Sequence, residues 1–208
     1  MMTEAIKKPR AKKPSASKAT TSTKPRATPV VMELPNSPLA FEVLDLVSRC
    51  RTRAKKVEAL QKFGDISLKA VLIWNFDESI TSALPEGDVP YGNPEENVLY
   101  SGTLTDRLTD TNRRMFENNN FSLGQKEAGS KTTIRRQWKN LYNFVVGGNS
   151  GLTKNRRESM FINLLDGLHP LEAQILVLAK DKNLSDAYKV TQDVVAEAFP
   201  DIKWGNRA

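Results

Sequence analysis

The stretch from Thr153 to Ile202 reads TKNRRESMFINLLDGLHPLEAQILVLAKDKNLSDAYKVTQDVVAEAFPDI, and its punctuation decides the fold. Thr153 can cap a helix through its side-chain oxygen. Met160, Phe161, Leu164, Leu165 and Leu168 then recur at the spacing of one helix face. Gly167 stands where a left-handed C-terminal residue is wanted, and Pro170 suits the first turn of a new helix, where a missing N–H costs nothing. Leu171, Ile175, Leu176 and Leu178 give that second helix its apolar side. Lys180 and Lys182 fall at its end, where positive charge complements the helix dipole. Asn183 and Ser185 indicate a turn. A third helix is predicted from Thr191, with Val194, Val195, Ala198 and Phe199 buried and Pro200 as its stop. Short links and facing apolar stripes predict that the three pack as one unit.

Upstream of this stretch, Thr133 to Val146 gives the cleanest helical stripe: Ile134, Trp138, Leu141, Tyr142 and Val145. Gly147-Gly148 breaks it. Thr103 to Phe116 is a further predicted helix, with Leu104, Leu108 and Met115 inward and Arg107, Arg113 and Arg114 outside. Polar residues and glycine over 118–131 predict a mobile loop. Residues 84–102 are rich in proline and acids and read as a connector of turns and extended chain. Its carboxylates, Glu86, Asp88, Glu95 and Glu96, lack calcium-loop spacing. Nearer the start, Ser37-Pro38 is a cap followed by a good first helical residue, and Phe41, Leu44 and Val47 form a stripe. Val57, Leu60 and Phe63 form another. Gly64-Asp65 ends that helix and caps the next, which carries Leu68, Val71, Leu72 and Trp74.

The predicted fold class is therefore all-α: a compact bundle of about six to eight helices over residues 37–202, with a basic arm at 1–36 and a tail at 203–208. The arm is Lys, Pro, Ala, Ser and Thr with few large apolar side chains, a composition that cannot offset ordering entropy by burial, so disorder is expected. Its Lys-Pro and Pro-Arg pairs disfavour helix.

Charge divides sharply along the chain. Up to Met32 there are eight bases and one acid, which is +7 and equals the whole formal net charge. The remaining 23 of 31 bases meet 23 of 24 acids, so the body is neutral, and the pI of 9.5 describes the arm. A basic arm attracts polyanions. Within the body, Arg49, Arg51, Arg53, Lys55 and Lys56 precede any acid until Glu58 and form its strongest positive run. Such a run is usually a solvated helix face. Lys154, Arg156 and Arg157 crowd the first turn of the helix begun at Thr153, where positive charge opposes the dipole, as it would on a surface meant for phosphates.

Other function classes find little support. A single cysteine, Cys50, leaves no internal disulfide and no zinc site built mainly on cysteine. The one histidine, His169, lies between Leu168 and Pro170 and reads as a helix start rather than a ligand. No apolar run reaches the length of a bilayer crossing, and the N-terminus lacks the apolar core of a secretory signal. A reducing cytoplasm is expected. No paired acid and base, activated nucleophile or Walker-type glycine loop is found, so the expectation is a non-catalytic protein without cofactor or metal.

Leu84-Pro85-Glu86-Gly87, Val89-Pro90-Tyr91, Arg157-Glu158-Ser159-Met160-Phe161, Leu164 to Pro170, Ala179 to Leu184 and Val194 to Asp201 together carry a family resemblance. The chain from about Leu39 to Ile202 resembles an uncharacterised protein family of large contractile-tailed (myovirus-type) bacteriophages. The polar region near 118–131 departs from that pattern. A fainter resemblance is to the helical DNA-binding domain of phage ATP-dependent DNA ligases, which also closes on an aromatic-Pro-x-Ile phrase, here Phe199-Pro200-Asp201-Ile202. The ligase chemistry is missing: its Lys-x-Asp-Gly phrase would need lysine where Leu164 stands.

That second resemblance implies contact with the duplex backbone, largely without sequence reading, at Lys180, Lys182, Lys189 and Thr191 with the Arg51 to Lys56 patch. The full expected set is Arg51, Arg53, Lys55, Lys56, Lys154, Arg156, Arg157, Lys180, Lys182, Lys189 and Thr191. The expected function is a phage DNA-binding accessory protein in the cytoplasm of the infected host. The alternatives are a virion or assembly component, and a regulator that binds a host protein through the helical body.

Overall fold

The computed structural model describes residues 34–87, 90–91, 102–103 and 130–205. The expected arm up to residue 33, most of the connector, all but Thr103 of the helix expected over Thr103 to Phe116 and nearly all of the loop at 118–131 lie outside them.

Within the described residues the fold is all-α. Helix α1 is Ala40–Arg49, α2 Arg53–Phe63, α3 Ile66–Phe76, α4 Ile134–Gln137, α5 Lys154–Gly167, α6 Pro170–Lys180, α7 Leu184–Tyr188 and α8 Gln192–Ala198. A 3-10 segment, Trp138–Phe144, continues α4. The one strand pairing among the described residues is a short antiparallel ribbon in which Pro90 faces Thr103 and Tyr91 faces Gly102.

The centre is α1. Phe41, Leu44 and Val47 are buried as the stripe requires, but Ala40, Val43 and Leu46 are buried as well. A helix apolar on several sides needs neighbours on several sides, and α1 packs against α2, α6 and α7. Its cap lies two residues later than Ser37-Pro38 predicts. The Glu42 carboxylate accepts the Leu39 N–H at 2.9 Å, so the acid three residues into the helix closes the start. The second boundary falls where the sequence puts it: Asp65 accepts the Leu68 N–H at 2.9 Å. At the neighbouring Gly64, a Cβ would sit 2.5 Å from the Phe199 ring. Only glycine lets the end of α8 lie against the end of α2.

Three expectations are corrected. Thr133 to Val146 is not one α-helix. After a single turn it tightens to 3-10, whose period of three turns Trp138, Leu141 and Phe144 to one side. Phe144 is then 2 % exposed and Tyr142 is 51 % exposed, the reverse of the α-helical stripe. Phe144 stacks on Trp74 at 6.4 Å and meets Phe161 edge-on at 5.1 Å, forming the aromatic heart of the core. Gly167 is not left-handed. It is the last residue of α5, and its carbonyl accepts the N–H groups of Lys131 and Thr132 at 2.9 Å each. A Cβ there would press Thr132 at 3.2 Å, so smallness rather than φ is what this position uses.

The stretch from Thr153 to Ile202 holds four helices, not three. Lys182 (φ 61°) and Lys189 (φ 53°) both adopt left-handed backbone and bracket the extra helix α7. Nor do its helices form a unit of their own. The main partners of α6 are α3, α1 and α5, whereas α8 packs chiefly on α2. The C-terminal tail is tied down as far as Gly205, whose N–H donates to Asp77 at 3.1 and 3.2 Å.

Candidate nucleic-acid interface

The expected cations fall into three places. The first is the start of α2. Thr52 Oγ1 accepts the Lys55 N–H at 3.4 Å, which begins the helix directly on the basic run. No acid stands in that first turn, so nothing on the helix itself answers the dipole. Two of its cations reach across, Arg53 to α8 and Lys56 to the α7–α8 link. The Arg53 guanidinium pairs with Glu197 at 2.6 Å and lies 3.4 Å from the Asp193 carbonyl. The Lys56 ammonium donates to the Lys189 carbonyl. These bonds hold Arg51, Arg53, Lys55, Lys56, Lys189 and Thr191 on one corner.

On that corner Arg51, Lys55, Lys189 and Thr191 are exposed. Neither Arg51 nor Lys55 has a partner among the described residues. Thr191 occupies the N-cap position of α8, and its hydroxyl makes no cap hydrogen bond. A carboxylate stands close by: Glu197 lies on the side where Arg53 is held.

The second place is the start of α5. Thr153 Oγ1 caps it through the Arg156 N–H at 3.4 Å. Lys154 and Arg156 are exposed, and Lys154 lies 4.0 Å from Glu158 one turn on. Arg157 turns inward instead. Its guanidinium donates to the carbonyls of Asn143 at 2.8 Å and Asn149 at 3.0 Å, which fastens α5 to the end of the 3-10 segment. The principal neighbours of α5 are α6 and the 3-10 segment, so this place does not adjoin the α2 corner.

The third place corrects the expectation for Lys180 and Lys182. The Lys180 side chain is fully buried beside Asp181, and its ammonium donates to the carbonyls of Pro85 at 2.8 Å and Gly87 at 3.0 Å. Lys182 donates to the carbonyls of Trp74 at 2.8 Å and Asp77 at 2.7 Å, at the end of α3. Burial lowers the Lys182 pKa, against the pull of Asp77 and Glu78. Orphan carbonyls at a helix end need donors, and these ammonium groups serve them. They fasten α6 to residues 74–87; Lys180 is thereby closed off from a phosphate, whereas Lys182 stays exposed to solvent.

A different feature was missed from the sequence. A groove of about 660 Å³ runs between α3 and the 3-10 segment. Ile66, Ile73, Trp138, Leu141 and Tyr142 line it, with Lys69, Lys139 and Asp201 at its polar edges. The available signal was Ile66, Ala70 and Ile73, a second apolar stripe on α3 out of phase with Leu68, Val71 and Leu72.

Among the described residues no group of three or more His, Cys, Asp and Glu could hold a metal ion, and no helix is long and apolar enough to cross a membrane. No curated protein and no solved structure matches the chain. Residues 43–126 and 116–186 match the model described as "Family of unknown function (DUF6433)", and the chain belongs to that family.

Proposed function

We propose that this protein is a non-catalytic DNA-binding accessory protein of a contractile-tailed bacteriophage, working in the cytoplasm of the infected host. In this reading it grips the duplex backbone without strong sequence preference. The observation that carries the reading is the corner where α2 begins beside the α7–α8 link. There Lys56 and Arg53 act as braces, and the side chains of Arg51, Lys55, Lys189 and Thr191 stand in solvent. Cations and hydroxyls on such a corner suit phosphate contact, which positions a protein without reading bases. The resemblance to the helical domain of phage DNA ligases supports the same use for Lys189 and Thr191. Lys154 and Arg156 form an outlying contact; Lys180, whose ammonium is buried, drops out, and Lys182 and Arg157 are set aside because their charged groups are engaged with backbone carbonyls. The N-terminal segment, which carries the whole net charge of +7, extends the electrostatic reach.

A gel-shift titration of the full chain on duplex DNA tests this. The logarithm of the affinity should fall linearly with the logarithm of salt, with one slope for unrelated sequences. Absence of a shift at about 50 mM salt, where phosphate binding is strong, ends the reading.

The groove between α3 and the 3-10 segment favours a second reading: a virion or assembly component, or a regulator bound to a host protein, with the body as an interaction module. Stoichiometric abundance in purified particles supports the virion form.

A further inference from the structure

Arg53 and Glu197 stand at the unfavourable ends of their helices. Arg53 is the first residue of α2 and Glu197 the last but one of α8, so each charge opposes the dipole of its own helix. No acid lies in the first turn of α2 and no base in the last turn of α8. The two answer each other instead: Arg53 Nε donates to Glu197 Oε2 at 2.6 Å across the junction. The side chains are 59 % and 48 % exposed, and an ion pair in that much water adds little to stability. Nor does the junction depend on it. The Lys56 ammonium holds the Lys189 carbonyl, and the Phe199 ring lies against Gly64 at the far end of α2. The contact is also partial. One nitrogen meets one carboxylate oxygen, while Nη2 lies a long 3.4 Å from the Asp193 carbonyl. The forked edge that suits a phosphate is therefore not used as a fork.

We propose that Glu197 holds Arg53 in reserve, as a positioning residue that keeps the guanidinium from single anions and yields it to the phosphate backbone of a duplex. This rests on the DNA-binding reading of the α2 corner. Arg51, Lys55 and Lys189 face solvent around the pair. A duplex that meets them brings closely spaced phosphates, about one charge per 1.7 Å of axis, to Arg53 as well. The guanidinium then exchanges one carboxylate oxygen for two phosphate oxygens, and Glu197, already half in water, is left to the solvent. A single phosphate ion gains no such help from neighbouring contacts. It must compete with a carboxylate tethered at high effective concentration. Glu197 thus favours a polyanion over a lone anion at the same arginine.

Fluorescence anisotropy of the full chain on two unrelated labelled duplexes, between about 50 and 200 mM salt, tests the exchange. Arg53→Ala should lower the slope of log affinity against log salt by about one. Glu197→Asp keeps the charge and withdraws the carboxylate by one methylene. It should tighten binding about threefold, within what an exposed pair contributes. Glu197→Gln, which removes the charge as well, should tighten it further. In the Arg53→Ala background Glu197→Asp should change nothing. Far-UV circular dichroism of each variant should match that of the parent. A slope untouched by Arg53→Ala overturns the proposal, because the guanidinium then stays on Glu197. Binding by Glu197→Asp equal to the parent's overturns it too, even where Glu197→Gln binds more tightly, because Glu197 would then act by repulsion alone. Either result leaves DNA binding by the parent chain standing. A parent that binds no duplex removes the functional reading, and this proposal with it.

Discussion

Helices α2 and α6 are both eleven residues long and both carry ionisable side chains at their ends, yet they use them in opposite ways. In α2 the bases of the first turn point outward, where Arg53 braces α8, Lys56 braces the link before it and Lys55 stands in water. In α6 the charged and titratable groups go inside. His169, Glu172 and Lys180 are 5 %, 1 % and 3 % exposed. The sequence is far more densely charged in α2, with five ionised side chains among its eleven residues against two in α6. What separates their use is where the nearby backbone groups lie. Around α6 the helix N-termini and loop carbonyls that an ion can reach are buried; around the start of α2 the carbonyls of Lys189 and Asp193 that Lys56 and Arg53 meet lie at the solvent edge. Charge near a helix end thus says little about a ligand until the orphan backbone groups have been assigned.

The contrast is broken most forcefully at Lys180. Replacement by Met keeps the apolar stem and removes the ammonium, which leaves the Pro85 and Gly87 carbonyls without this donor and Asp181 without its cation. A buried ion pair that loses one partner costs about 3–5 kcal/mol, so Lys180→Met should lower the unfolding free energy by that order, read as a fall in the denaturation midpoint. The salt slope of DNA binding should not move. A stable variant with a reduced slope would put Lys180 back among the phosphate contacts.

The other end of α6 should show itself through pH. Glu172 accepts the N–H groups of Ala40 at 3.2 Å and Ile134 at 3.1 Å, which are the first residues of α1 and α4. Burial outweighs these bonds and raises its pKa to about 7. His169 stacks on Phe41 at 4.8 Å and accepts the Leu171 N–H at Nδ1, and burial lowers its pKa to about 4. A raised carboxyl contributes stability that is full below its unfolded value of 4.5 and is lost as pH rises through about 7. A lowered imidazole contributes stability that is present above 6.5 and is lost as pH falls through about 4. Between about pH 4.5 and 6.5 folded and unfolded states bind equal numbers of protons at this pair, and the two slopes cancel. His169→Asn keeps a capping acceptor and leaves Glu172 alone. Its stability should then rise on acidification by about 1.4 kcal/mol per pH unit across that window, whereas the pair in the parent chain gives none. Denaturant titrations at pH 5 and pH 6.5 measure the difference; a flat profile in the variant means that Glu172 stays ionised.

How much of this could be read in the sequence depends on how far away the partner lies. The Gly64-Asp65 boundary and the Pro170 start were legible because cap and capped group are close neighbours in the chain. The Lys180 environment was not, because its carbonyl partners lie 95 and 93 residues away. The same holds for the 3-10 segment. Its residues fit an α-helical stripe, and the tightening accompanies the grip of Arg157 on the Asn143 carbonyl, 14 residues off. That one change in period also hid the groove, since it decides whether Tyr142 or Phe144 faces inward. The all-α class survived these local errors because it rests on many independent stripes. The candidate interface was legible as composition at Arg51 to Lys56. That Lys189 and Thr191 share its corner depends on the packing of α8 against α2.

The smallest expected effect on stability is the sharpest test of the α2 corner. Arg51 and Lys55 are exposed and touch no described partner. Exchanging both for Ala should leave stability within about 0.5 kcal/mol of the parent, as for surface sites that satisfy nothing buried. Lys55→Ala even removes a base from a helix start, where its charge opposes the dipole. If the corner meets phosphates, the same double variant should lower the slope of log affinity against log salt by about two, one for each phosphate left without its cation, equally on unrelated duplexes. Set beside Lys180→Met, the pair of results forms a double dissociation: one variant is destabilised and keeps its slope, the other stays stable with a shallower slope. An unchanged slope in Arg51→Ala/Lys55→Ala would confine DNA binding to the N-terminal bases, and the outward-facing charges of α2 would then be no more than a solvated helix face.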